Sequence, residues 1–213
     1  MSDIKLIEQK FNRLHDLKIK CLNEISLIYN YELSNNKGIS HVAHYSASII
    51  TRSTSLIKSF ELLLNNKIYS TAISLIRLQV DNCLRLYAIS LCDPISLLTE
   101  VERGISIRDI RDRDGNKMFD GYLISKLDNI LPNFKSLYEE TCGFIHFSFE
   151  HLNLNNRKYI ENEQIKTETL IGHEYEISEE NKIKYLDYMI TATFNLYRLI
   201  YSYRYNSQKL ENR

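Results

Sequence analysis

The chain has 213 residues, 27 Lys plus Arg against 27 Asp plus Glu, and a pI near 7.0. Zero net charge argues against a uniformly basic surface for non-specific duplex binding, although a local patch fits inside a neutral total. At this length a single domain buries roughly 70% of its unfolded surface, and 44% hydrophobic with 25% charged residues is an ordinary globular balance.

Two prolines and six glycines leave few interruptions, which points to long helices. Cys21, Cys83, Cys92 and Cys142 include no CxxC pair and read as reduced, buried thiols of a cytosolic protein. MSDIKLIEQK has no apolar signal core. No stretch approaches the ~18 apolar residues of a membrane span, so a soluble cytoplasmic protein is expected.

A first helix is predicted over about residues 3–33, with Ile4, Ile7, Phe11, Leu14, Cys21, Ile25 and Ile28 at 3–4 spacing and Lys18 interrupting. The stripe suits bundle core; its narrower seam would also suit a helix pair, within the chain or across a dimer. Ser34, Asn35, Asn36, Lys37 and Gly38 form a turn by composition. Ser40 then caps a second helix to about residue 65, rich in small hydroxylated residues. His41 and His44 lie about 60° apart on it and have no further metal ligands nearby.

The third helix is predicted over about residues 67–91, ending before Pro94. Arg77, Asp81 and Arg85 fall at i, i+4 and i+8 on it. They read either as a solvated ladder or as a charge cluster on a helix apolar nearly all round, which must pair if buried. Pro94 starts a short helix to about Arg103. The charge-dense loop of residues 104–119 contains Asp112, Asp114 and Asn116, but its glycine and position twelve, Leu123, do not fit a calcium loop.

A short helix over 119–129 is followed by one predicted over 132–149, begun by Pro132 and containing Gly143, with Phe134, Leu137, Tyr138, Thr141, Ile145 and Phe149 inward. Residues 152–178 are the least helical and suggest an irregular excursion or a two-stranded ribbon. Ser178 caps the last helix, to about Tyr205, which leads to a basic end of Arg198, Arg204, Lys209 and Arg213. No repeat or linker appears, so one helical domain over residues 1–213 is expected, with a core over about 40–205 and an N-terminal helix over 1–33.

No phosphate-binding glycine loop, GxSxG, HExxH or CxxC occurs, so no metal or cofactor is expected. The polar residues embedded in the two most apolar central segments are Arg77, Asp81, Tyr138 and His146. If those helices pack antiparallel, the four meet. Histidine as acid or base with arginine against a phosphorane is the chemistry of metal-independent RNA cleavage. A lone histidine in an aromatic stretch also reads as a hydrogen-bonded core residue. Arg85, Ser148 and His151 are candidate ligand-binding neighbours, and a scaffold in which Arg77 and Asp81 form an internal ion pair is the bland alternative.

The pairing of LIRLQVDNCLRLYAI with DGYLISKLDNILPNFKSLYEETCGFIHFS resembles bacterial HEPN-like helical proteins over about residues 40–151. In those, an arginine and an acidic residue on a central helix recur with a Tyr…Ser-x-x-x-His segment on a later one. The resemblance implies an all-α bundle, often a homodimer, sited in some cases in phage-defence or toxin–antitoxin loci. Active HEPN ribonucleases carry Arg four to six residues before His. Here Glu140, Thr141 and Cys142 precede His146, without that arginine, and Cys142 replaces the usual serine. A nucleotide-, RNA- or partner-binding role is therefore favoured over a ribonuclease using His146 with Arg77.

Overall fold

The computed structural model describes residues 3–35, 38–146 and 148–211, without the side chains of Glu150 and residues 207–211. The centre of the expected turn at Asn36 and Lys37, and the Lys209 and Arg213 side chains of the basic end, lie outside the described residues. The described residues are all-α apart from one hairpin. The helices are α1 (Asp3–Ser34), α2 (His41–Asn65), α3 (Tyr69–Ala88), α4 (Pro94–Glu102), α5 (Asp120–Asp128), α6 (Phe134–Cys142), α7 (Phe149–Asn155) and α8 (Glu179–Glu211). No described helix is long and apolar enough to cross a membrane.

Four helices make the bundle. α1 and α8 run parallel, tied by Lys10–Asp187 at 2.5 Å near their starts and Glu24–Arg204 at 2.6 Å further along. α2 returns against α1: Ser40 donates its N–H and its hydroxyl to Glu32, both at 2.8 Å. The same Ser40 caps α2, accepting from Ala43 N–H at 3.1 Å, as its position before the apolar run predicts. α3 returns again, so it runs parallel to α8, with Ile73 and Ile76 beside Leu186 and Met189 in one core cluster and Val80 and Leu84 beside Ala192 and Leu196 in the other. Two parallel neighbours so far apart in sequence require a long return path. Residues 89–178 supply it, with α4, α5 and α6 packed around α2 and α3.

The α1 seam is occupied inside the chain. Leu14, Leu17, Cys21 and Ile28 are buried in the bundle core, while Ile4 stays exposed. Asp93 caps α4, accepting from Ser96 N–H at 2.8 Å, and Pro94 takes the first helical position, where no backbone donor is needed. Residues 104–119 contain a single-turn 3-10 segment and a bend closed by the Arg111–Lys117 bridge. Tyr122 donates to Asp112, which also accepts from Asn116 N–H at 2.8 Å.

The helix expected over 132–149 is shorter at both ends. Asn133 sits at φ 67, a left-handed conformation that α6 cannot include, so α6 starts at Phe134. It ends at Cys142. Ser148 explains the end: its hydroxyl donates to Gly143 O at 2.7 Å and it serves as N-cap of α7, forming a capping box with His151. The inward face changes accordingly. Phe144 is buried against Tyr185 at 6.0 Å, whereas Ile145 and Phe149, expected inside, are exposed.

The excursion at 152–178 contains α7, then an antiparallel ribbon of β1 (Asn156–Glu161) and β2 (Gln164–Thr169) in register Ile160↔Ile165. Asn162 and Glu163 both take positive φ, 50 and 62, as a two-residue hairpin loop requires.

Candidate functional site

α3 is covered by α2 and α8 and by the shorter α5 and α6, so polar residues at most positions along it are forced inward. Ser74 donates its hydroxyl to Phe144 O, and one turn on Arg77 lies under Tyr138. Rising numbers on α3 thus meet falling numbers on the later segment, which makes α6 antiparallel to α3.

Along that seam runs one connected network. The Arg77 guanidinium sits 4.1 Å from the Tyr138 ring centroid and donates to Asp120 Oδ2 at 3.0 Å. Arg85 donates to Asp120 Oδ1 at 2.8 Å and pairs with Asp81 at 2.7 Å. Arg52, from α2, donates to Asp81 at 3.0 Å and to Asn82 Oδ1 at 2.7 Å. Asn82 Nδ2 then donates to Gln79 Oε1 at 3.0 Å, and Gln79 Nε2 donates to Ser53 Oγ at 2.7 Å and Thr193 Oγ1 at 3.1 Å. Gln79, Asn82 and Thr193 are fully buried. Every member is satisfied, the condition under which a buried polar network rigidifies rather than destabilises.

The electrostatics follow from that wiring. Burial opposes the charge of Arg85, but Asp81 and Asp120 more than offset it, so its basicity rises. Burial likewise opposes Arg77, and Tyr138 with Cys142 holds it above its ordinary value. Three guanidiniums, of Arg52, Arg77 and Arg85, face two carboxylates, of Asp81 and Asp120. One positive charge is left over.

Of the residues singled out from sequence, Arg77, Asp81, Arg85 and Tyr138 lie along this seam. The Arg77–Asp81 ion pair of the scaffold alternative is replaced: Asp81 is shared by Arg85 and Arg52, and Arg77 turns to Asp120. His146 is exposed in the bend after α6 and forms no hydrogen bond or ion pair with Arg77, Asp81 or Tyr138 among the described residues. Ser148 and His151 build the start of α7, with Ser148 N–H 3.4 Å from His151 Nδ1. His151 also lines a separate cleft of about 560 Å³ with Lys67, Ser70, His173 and Glu174. Within it Glu174 accepts from the first backbone donors of α3, Tyr69 N–H at 2.6 Å and Ser70 N–H at 3.1 Å.

Sequence reading missed Asp120, Arg52, Gln79 and Asn82. The last two carried a signal, since amides inside LIRLQVDNCL are as conspicuous as charges. Asp120 carried less: an acid in the first turn of a helix already has a local reason. Arg52 sits among serines and threonines and declares itself only through packing.

Beside the network is a cavity of about 310 Å³ lined by Arg85, Ser106, Arg108, Phe119, Asp120 and Gly121. Phe119 is 51% exposed. A methyl group on Gly121 would meet its ring at 3.4 Å, so the ring lies over the first turn of α5. Arg108 is exposed and makes no ion pair or side-chain hydrogen bond among the described residues, while its neighbour Asp109 pairs with Lys117 at 3.6 Å.

The buried thiols fit an inert role, with Cys21 pushed up to about 12 and Cys83 pushed up further by burial. No group of three or more His, Cys, Asp or Glu among the described residues is placed to hold a metal ion. Compared with known protein families, curated proteins and solved structures, the chain finds no match.

Proposed function

We propose that this is a HEPN-like helical protein that binds a nucleotide or RNA at the seam of α3, α5 and α6. The observation that carries the reading is the net-positive guanidinium–carboxylate network, half-buried and opening beside a cavity. Replacing such a network with apolar residues is often neutral or stabilising, so stability alone is a weak reason to keep it. Arginines held by carboxylates and an aromatic ring are pre-aimed donors for phosphate. Binding is favoured over cleavage because the exposed His146 imidazole is not joined to the arginines. The family resemblance adds a homodimer and a place in bacterial defence or a toxin–antitoxin pair as the biological setting.

The ribonuclease reading retains one support. Ser74, one helical turn before Arg77, bonds to Phe144 O, two residues before His146. A single assay separates the two. Labelled single-stranded RNA is incubated with the protein in chelator and followed for both retention and cleavage. Retention without cleavage is expected, weakened by Arg77→Ala in a variant of unchanged helicity. Chelator-resistant cleavage abolished by His146→Ala would replace this reading with the nuclease. Absence of any RNA or nucleotide binding would remove both.

A further inference from the structure

We infer that the 310 Å³ cavity beside the network is a base-plus-phosphate subsite, in which a nucleobase stacks on Phe119 and its phosphate is held by Arg108 and Ser106. This rests on the nucleotide- or RNA-binding reading above and names the groups that contact the ligand.

Three independent features converge. The first is charge. The network leaves one positive charge only when Arg52 of α2, outside the cavity lining, is counted; at the cavity itself Arg85 and Asp120 are paired, and Arg108 adds a guanidinium with no carboxylate of its own among the described residues. Asp109 does not cancel it, being turned to Lys117. The second is the ring. Phe119 is half exposed at the cavity wall, with Tyr122 at 6.2 Å on one side and Gly121 beneath it. An aromatic side chain seated on a glycine and open toward a polar cavity is a platform for a planar ligand, and stacking of that kind tolerates any base. The third is composition and size. The volume falls at the lower end of small-ligand sites. Its lining combines an aromatic surface, a hydroxyl at Ser106, the Asp120 carboxylate already paired with Arg77 and Arg85, and two guanidiniums, Arg85 held by Asp81 and Asp120 and Arg108 without such a partner among the described residues. An acidic peptide would use the arginines but not the ring. A purely apolar ligand would use the ring but make no use of Arg108 and Ser106.

The shared chemistry, one base with one phosphate, comes from either a free nucleotide or a strand of RNA. Fluorescence anisotropy with labelled pentaadenylate, and competition by adenosine monophosphate, distinguishes them. Phe119→Ala and Arg108→Ala are each expected to weaken pentaadenylate binding about tenfold. Arg108→Ala should also lower the slope of log affinity against log salt by about 0.7, the value for one phosphate contact on a single strand, while Phe119→Ala leaves the slope unchanged. Phe119→Tyr and Arg108→Lys should restore most of the binding. Competition by the monophosphate assigns the subsite to free nucleotide; its failure beside intact oligonucleotide binding assigns it to RNA. Wild-type binding with folded Phe119→Ala and Arg108→Ala variants at full affinity overturns the subsite alone and leaves the broader reading standing. Failure of the wild-type protein to bind either probe overturns both.

Discussion

Arg77 shows how much one side chain is asked to do. Its guanidinium stacks under Tyr138 and neutralises Asp120, and only 9% of the residue is exposed. Deleting a partner from a fully buried pair costs several kcal/mol because the other charge is stranded. Here Asp120 keeps Arg85 and some solvent, so Arg77→Ala should cost less, about 2–3 kcal/mol in urea denaturation at pH 7. Arg77→Lys should cost about 1 kcal/mol, since an ammonium keeps the charge and loses the planar fork and the stacking. A second residue-scale effect concerns acid. Tyr122's hydroxyl holds Asp112 below its ordinary 3.8, and Tyr188's hydroxyl, helped by Lys184, holds Glu140 below 4.5. A carboxylate depressed in the folded state contributes stability that is complete above its unfolded pKa and lost as pH falls through the folded one. Stability should therefore be flat from neutrality to about pH 5 and decline below about pH 4. Tyr122→Phe removes the donor to Asp112. It should lower the urea midpoint at pH 7 and make the decline below pH 4 shallower, which midpoints at pH 3, 4 and 7 would register.

At the scale of elements, the helices were legible where local signals agreed. Ser40 before α2 and Ser178 before α8 cap where composition places them, and α4 begins at Pro94 as expected, with Asp93 supplying a cap that the reading did not name. The error at α6 has the same kind of cause. An apolar spacing continues through Ile145 and Phe149, but Ser148 offers a cap and a donor to Gly143 O, and that local bond outcompetes one more turn. Inside α3 the amides Gln79 and Asn82 stand out in the sequence as plainly as the charges, but that they link α2 and α8 is a matter of packing. Their coupling is measurable. Gln79→Leu leaves Asn82, Ser53 and Thr193 without that partner, and Asn82→Leu leaves Arg52 and Gln79 so. Each should cost about 2 kcal/mol. The double variant should cost clearly less than the two together, because the second change removes a group the first had already stranded. Additive costs would mean that the two amides act separately.

The whole molecule divides into a bundle that carries the core and an excursion that carries little of it. Along β2 every residue is exposed, and on β1 all but the first are. Ile160 and Ile165, paired across the ribbon, are 77% and 76% exposed. What fastens the region lies outside the strands: Leu170 N–H donates to Asn155 O at 2.8 Å, Tyr175 N–H to Leu154 O at 2.7 Å, and Glu176 joins Lys67 and Lys182. The ribbon itself contributes the exposed Arg157 over the half-buried Tyr175 ring at 3.9 Å, a contact of about 1 kcal/mol. The Asn155–Leu170 bond also shows that the two ends of the ribbon are already adjacent. Replacing residues 156–169 by a two-glycine link then closes a short loop with no strain on α7, and shortening a loop lowers its closure entropy. About 1 kcal/mol corresponds to about 2–4 °C at this chain length, so the melting temperature should move by less than about 4 °C. Pentaadenylate binding should be unaffected, since none of the residues proposed to contact it lies in the ribbon. A drop beyond about 10 °C would show that the ribbon stabilises the bundle through more than its exposed strands, and lost binding in a folded deletion variant would move the nucleotide site away from the α3–α5–α6 seam.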